Sequence, residues 1–143
     1  MKIMVSACLL GDNVKYNGKN NKNDNLIEFL KNYEIDKVCP EVLGGLSIPR
    51  KPAEIKERRV FTIDNYDVTD NFISGAEKTL KIARQNNIKV AILKKNSPSC
   101  GSNRVYDGTF SKTLIDGDGI TVKLLKENGI TILDEESYKE YKW

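Results

Sequence analysis

The chain has 143 residues, 39% of them hydrophobic and 30% charged, with a formal charge of +3. That size and balance predict one soluble, cytoplasmic domain with its own core: no apolar run approaches the roughly 20 residues a bilayer demands, the opening MKIMVSACLL is too short for a leader, and no block of like charge calls for nucleic acid. Histidine is absent, which removes every imidazole base, the Ser-His-Asp and Cys-His nucleophiles and the HExxH zinc site, and leaves carboxylates, hydroxyls, lysine, tyrosine and thiolates for chemistry.

Residues 2–7 (KIMVSA) predict a short buried parallel strand that ends at Cys8. Gly11, Gly18 and the KNNKNDN stretch make 9–25 a loop, after which Asp24 is placed to cap a helix carrying Leu26, Ile27, Phe29 and Leu30 and ending near Asn32. Ile35–Val38 predicts a second strand, running into Cys39. The Pro- and Gly-rich segment that follows reads as an irregular, packed, functional loop with Val42, Leu43, Leu46 and Ile48 inward. Val60–Ile63 and Tyr66–Val68 predict a hairpin around Asp64–Asn65. Thr69 or Asp70 caps a helix reaching about Asn86, with Phe72, Ile73, Ala76, Leu80 and Ala83 at helical spacing. Ile88–Leu93 predicts a strand, and Cys100 lies just beyond it in Asn-Ser-Pro-Ser-Cys-Gly-Ser. A polar loop through Asp107-Gly108 leads to a helix with Ile120, Leu124 and Leu125, a strand at Ile130–Leu133 and a short amphipathic helix over 134–142.

Alternating strands and helices predict a single α/β domain, a small parallel sheet flanked by helices with its site at the carboxyl ends of the strands. Cys8, Cys39 and Cys100 each fall at or just past such an end. Buried cysteines that only filled space would show no preference for one edge. The pattern therefore leaves two readings, three thiolates meeting at one metal centre or three inert buried thiols, and the shared edge points to the first. Soft thiolates suit zinc, copper(I) or an iron-sulfur cluster. A structural zinc needs a fourth protein ligand, for which Glu41 is available, while a 4Fe-4S cluster on three cysteines keeps one iron open. The Asn96–Ser102 loop has the glycine and hydroxyls of a phosphate-binding loop and lacks the lysine arrangement of one.

The blocks VSACLLG (5–11), VCPEVLGGL (38–46), PRKPAEI (49–55), LKKNSPSCG (93–101) and YDGTF (106–110) resemble the bacterial domain of unknown function 523 family over nearly the whole chain. That family includes thiouracil desulfidases, which take sulfur from a thiolated pyrimidine such as 4-thiouracil with a 4Fe-4S cluster on three cysteines. The resemblance implies Cys8, Cys39 and Cys100 as cluster ligands, Glu41 as acid/base, Ser99 or Ser97 as the working hydroxyl, and a small thiolated heterocycle as partner. Arg50 either grips the substrate or bridges two loops. The competing expectation is a non-enzymatic module that holds zinc or a transient cluster on the same cysteines.

Overall fold

A computed structural model describes all 143 residues. Four short strands, β1 (Lys2–Ser6), β2 (Glu34–Val38), β5 (Val90–Ile92) and β8 (Thr131–Leu133), form one parallel sheet in the order β2-β1-β5-β8. The two central strands are buried on both faces, as their unbroken apolar runs require.

Side chains alternate between two cores. Met4, Ala91 and Leu93 face helices α3 (Thr69–Gln85) and α4 (Ile120–Glu127) and pack with Leu80, Val122 and Leu125. Ile3, Val5, Val90 and Ile92 point the other way, onto Leu26 of α1 (Asp24–Phe29), Leu30 and Tyr138. Phe29, Tyr33, Tyr138 and Trp143 close that side as an aromatic cluster, with ring centroids 5.1–5.6 Å apart.

Several expectations are corrected. The cap of α1 is Asn23, whose side chain accepts the Leu26 N–H at 3.0 Å, and α1 tightens into a 3-10 turn over Leu30–Asn32. At α3, Val68 is the capping position and Asp67 accepts the Thr69 N–H, because the Thr69 hydroxyl is taken up by the backbone of Val60. The segment after Cys39 is not wholly irregular: Pro40, placed at the first helical position where its missing N–H costs nothing, starts the short helix α2 (Pro40–Leu43). Val42 and Ile48 are exposed there, as is Ile73 on α3.

The small hairpin also forms one strand earlier than the sequence suggests. β3 (Ala53–Lys56) pairs with β4 (Arg59–Thr62), and the 66–68 stretch contributes only an isolated bridge between Phe61 and Asp67. The region read as a polar loop holds a second two-stranded unit, β6 (Arg104–Tyr106) with β7 (Leu114–Asp116). Its strands are three residues each, too short for their alternation to stand out. The terminal helix is a single 3-10 turn, Ser137–Glu140.

Candidate functional site

Adjacent strands bring the cysteines together. β2, β1 and β5 lie side by side, so their carboxyl ends share one edge. Cys39 follows β2 directly, as the residue before α2, and Cys8 sits in the 3-10 turn Ala7–Leu10 that follows β1. Cys100 arrives by a longer route. After β5 the chain turns through Ser97–Gly101, and that turn is fastened to the start of α4 by the N–H groups of Ile120 and Thr121, which donate to the carbonyls of Pro98 and Ser99 at 2.8 and 3.0 Å. All three thiols, together with Glu41, Arg50, Ser97 and Ser99, line one cavity of about 470 Å³.

Donors already reach two of the sulfurs. The Asn21 side-chain amide donates to Cys8 Sγ at 3.4 Å. Cys39 stands at the start of α2, its sulfur 4.0 Å from the Val14 carbonyl oxygen and without a capping bond to the helix. The hydroxyls of Ser99 and Ser6 serve Cys100. Burial dominates nonetheless: it raises the Cys8 and Cys39 thiols and pushes Cys100 up to about 12. Without a metal all three are protonated thiols, and a metal must displace those protons to bind.

Glu41 is the hub of the remaining polar groups. Its Oε1 accepts Arg50 Nε at 3.0 Å and its Oε2 accepts the Ser99 hydroxyl at 3.0 Å. Arg50 is only 8% exposed and its other nitrogens donate to the carbonyls of Val14 and Ser47, so the guanidinium joins three segments of chain around one carboxylate. Arg50 and Ser99 shelter Glu41, while the neighbouring Val42 is turned out to solvent.

The direction of the serine chain follows from counting lone pairs. Ser97 Oγ accepts the N–H groups of Ser99 and Cys100, both at 3.1 Å, which fills its two acceptor positions. Its own hydrogen therefore goes to Ser99 Oγ, 2.9 Å away, and the Ser99 hydrogen is left for Glu41 or for Cys100 Sγ at 3.6 Å. Ser99 stands next to the carboxylate, and Ser97 orders the turn behind it. The same bonds use up N–H groups that a phosphate at this loop would need.

The residues fit a cluster better than a single ion. No three Cys, Asp or Glu side chains crowd closely enough to hold one metal ion. Ligands of one tetrahedral zinc must all lie about 2.3 Å from it, whereas the thiolates of a 4Fe-4S cluster each bind a different iron and stand further apart. Three soft donors, no imidazole and an open cavity among them match the second demand.

Sequence reasoning missed four residues here: Ser6 and Asn21 as sulfur donors, and the pair Lys94–Glu135, 2.8 Å apart at the cavity beside Cys8. Asn21 lay in a stretch without periodicity, and Glu135 is about 40 residues from its partner. Nothing local marked either.

A model of the 2-thiouracil desulfurase family matches residues 3–137. The uncharacterized protein YbbK of Bacillus subtilis (strain 168) is 38% identical over 148 aligned positions, covering 96% of this chain and 98% of YbbK. Among solved structures, the [4Fe-4S]-dependent thiouracil desulfidase TudS superposes with a TM-score of 0.92 at 42% identity, covering 97% of this chain and 93% of that one.

Proposed function

Since the chain belongs to the 2-thiouracil desulfurase family, we propose that it is an iron-sulfur-dependent desulfidase that removes sulfur hydrolytically from a thiolated pyrimidine such as thiouracil. The observation that carries this reading is the convergence of three thiols and a Glu41–Ser99 pair on one cavity. The likeness to TudS, a [4Fe-4S]-dependent enzyme, supports the cofactor. Cys8, Cys39 and Cys100 would hold the cluster, whose iron without a protein thiolate supplies a soft Lewis acid for the substrate's sulfur.

The overall change is replacement of C=S by C=O with water as the oxygen donor and sulfide as the product, with no net oxidation or reduction. The chain's own groups manage the water and its protons. Glu41 accepts a proton from the attacking water while Arg50 holds the carboxylate in place through Oε1. Ser99, its hydroxyl on Oε2, steadies the carboxylate and carries a proton between it and the departing sulfur, with Ser97 fixing its orientation. In this reading Arg50 serves the substrate indirectly, since each of its three nitrogens already donates to a protein oxygen. Three cysteines, an odd number with none in a disulfide, support a reducing compartment such as the cytoplasm. No helix is long and apolar enough to cross a membrane.

The test is anaerobic reconstitution with iron and sulfide, followed by assay of Glu41→Gln. The wild-type chain should turn brown and release sulfide from thiouracil. Glu41→Gln should keep the colour and lose about 10²-fold or more in kcat. A chain that takes up no iron, or a Glu41→Gln variant with undiminished turnover, would refute the reading.

A further inference from the structure

Two blocks of the sequence are left largely unused by the chemistry above: PRKPAEI, which contributes only Arg50 to it, and YDGTF, which contributes nothing. The structure ties them together. Glu54, from the first block, reaches across about 55 positions of chain, and its Oε1 accepts the N–H groups of Gly108 and Phe110 at 3.0 and 3.1 Å. Both donors belong to the loop that joins β6 to β7, and both Glu54 and that loop line the cavity.

The loop is held in a backbone shape it would not choose. Gly108, Phe110 and Lys112 have φ of +92°, +57° and +63°. Glycine adopts such values freely, but a side chain as bulky as phenylalanine seldom does, and such residues persist only where the surroundings fix them. Gly108 has no alternative either, for a Cβ there would lie 2.8 Å from the Ile55 carbonyl. At the other end of the turn, Asp107 accepts the Thr109 N–H at 2.9 Å and its hydroxyl at 2.6 Å. What this arrangement delivers is Phe110, half-buried and facing the cavity with Tyr106.

The cavity lining thus has two origins. The sheet edge supplies thiols, carboxylate and serines, whereas the two small hairpins supply Ala53, Ile63, Tyr106 and Phe110. The first set handles sulfur, water and protons. The second offers flat aromatic and apolar surface, which suits the face of a planar heterocycle.

We propose that Phe110, with Tyr106, is the surface on which the substrate's ring rests, and that Glu54 is a positioning residue that holds the Asp107–Lys112 loop so that Phe110 faces the cavity. This rests on the desulfidase reading for the identity of the ring. A planar pyrimidine is selected by that wall, and a thiocarbonyl compound without a ring gains nothing from it.

The test uses the cluster-loaded protein in three forms besides wild type: Phe110→Ala, Glu54→Ala and Glu54→Gln, the last keeping a carbonyl oxygen that can accept both N–H groups. Phe110→Ala and Glu54→Ala should raise KM for thiouracil about tenfold with kcat changed less than about twofold. Glu54→Gln should restore the wild-type KM. Hydrogen exchange of the Gly108 and Phe110 amides should quicken about tenfold in Glu54→Ala and return in Glu54→Gln. Unchanged KM in Phe110→Ala overturns the ring surface, and unchanged exchange in Glu54→Ala overturns the clamp. Equal loss of kcat and KM in all three variants makes Glu54 merely structural and also overturns the proposal. If the wild-type protein fails to release sulfide, it is the desulfidase reading that has failed. The same contrast is then read by calorimetric titration of thiouracil into wild type and Phe110→Ala, where equal affinity overturns the ring surface.

Discussion

Gly75→Ala should damage the site more than the fold, although Gly75 lies in the middle of α3 and does not line the cavity. The reason is a crossing of two backbones. A Cβ on Gly75 would lie 2.0 Å from the carbonyl oxygen of Pro40, and a Cβ on Gly44 would lie 2.0 Å from that of Asn71. α2 and α3 therefore meet backbone to backbone, at a separation only glycines permit. Real Cβ atoms almost never come within 3.0 Å of such a neighbour, so α2 must retreat by at least the 1 Å that separates these figures. Alanine in a helix interior is worth about 1 kcal/mol over glycine. Overpacking costs about 1–3 kcal/mol, and here the obstacle is a carbonyl that cannot rotate aside, so the upper part of that range applies and the net loss is about 1–2 kcal/mol. The effect on chemistry is larger, because α2 carries Glu41 and follows Cys39 directly, and a displacement of about 1 Å at reacting groups can cost 10²-fold in rate. Urea unfolding, iron content per chain and kcat measured together test this. Gly129→Ala is the control: φ is +79° with nothing within 4 Å of the new Cβ, so it should cost about 1 kcal/mol of backbone strain and leave iron content and kcat intact. A Gly75→Ala protein with normal turnover, or one whose losses match those of Gly129→Ala, would refute the reasoning.

Ser99→Ala and Ser97→Ala should separate in kcat at equal iron content: about 10²-fold loss for the hydroxyl that touches Glu41, and a smaller loss for Ser97, which acts through it. The reverse order would reverse the direction of the hydroxyl chain. Asp67→Asn tests the outer hairpin, where the Arg59 guanidinium, and after it the Thr69 N–H, hold the Asp67 carboxyl well below the usual carboxylate range. A depressed carboxyl contributes stability that is present above its ordinary pKa of about 4 and is lost as pH falls toward the folded value. Thermal melts should therefore show a gap between wild type and Asp67→Asn at pH near 7 that narrows progressively once pH drops below about 4; a gap independent of pH would rule the ion pair out as its source.

The parallel sheet was legible because its two central strands are largely apolar runs, so β1 and β5 needed no partner to be recognised as buried. The three cysteines followed from the sheet, since a strand's carboxyl end is a property of the chain and not of its neighbours. Glu41 was found through its closeness to Cys39. What stayed hidden depends on contacts between distant segments. β6 and β7 are three residues each and form only as a pair, and the 53–62 hairpin competed with an equally plausible pairing one turn later. Glu54 was invisible as a clamp because both its partners are backbone N–H groups, which every residue but proline possesses.

The arrangement of the site also explains how so short a chain keeps two kinds of chemistry in register. Cys39 and Glu41 are separated by one residue at the start of a single turn of helix, and Ser99 and Cys100 are adjacent in a turn fastened to α4. In each case a proposed sulfur ligand and a proposed proton-handling group share one piece of backbone. Their spacing is then set by covalent geometry and local hydrogen bonds, and only the relation between the two pieces depends on packing. That relation is held by the Ser99–Glu41 bond itself, with Arg50 bracing the far side of the carboxylate. The hairpins that carry Phe110 and Glu54 join the same backbone: Val105 bridges to Asn96 at the head of the turn that carries Cys100, and β3 begins three residues after Arg50, so the proposed ring surface is set in register with both pieces.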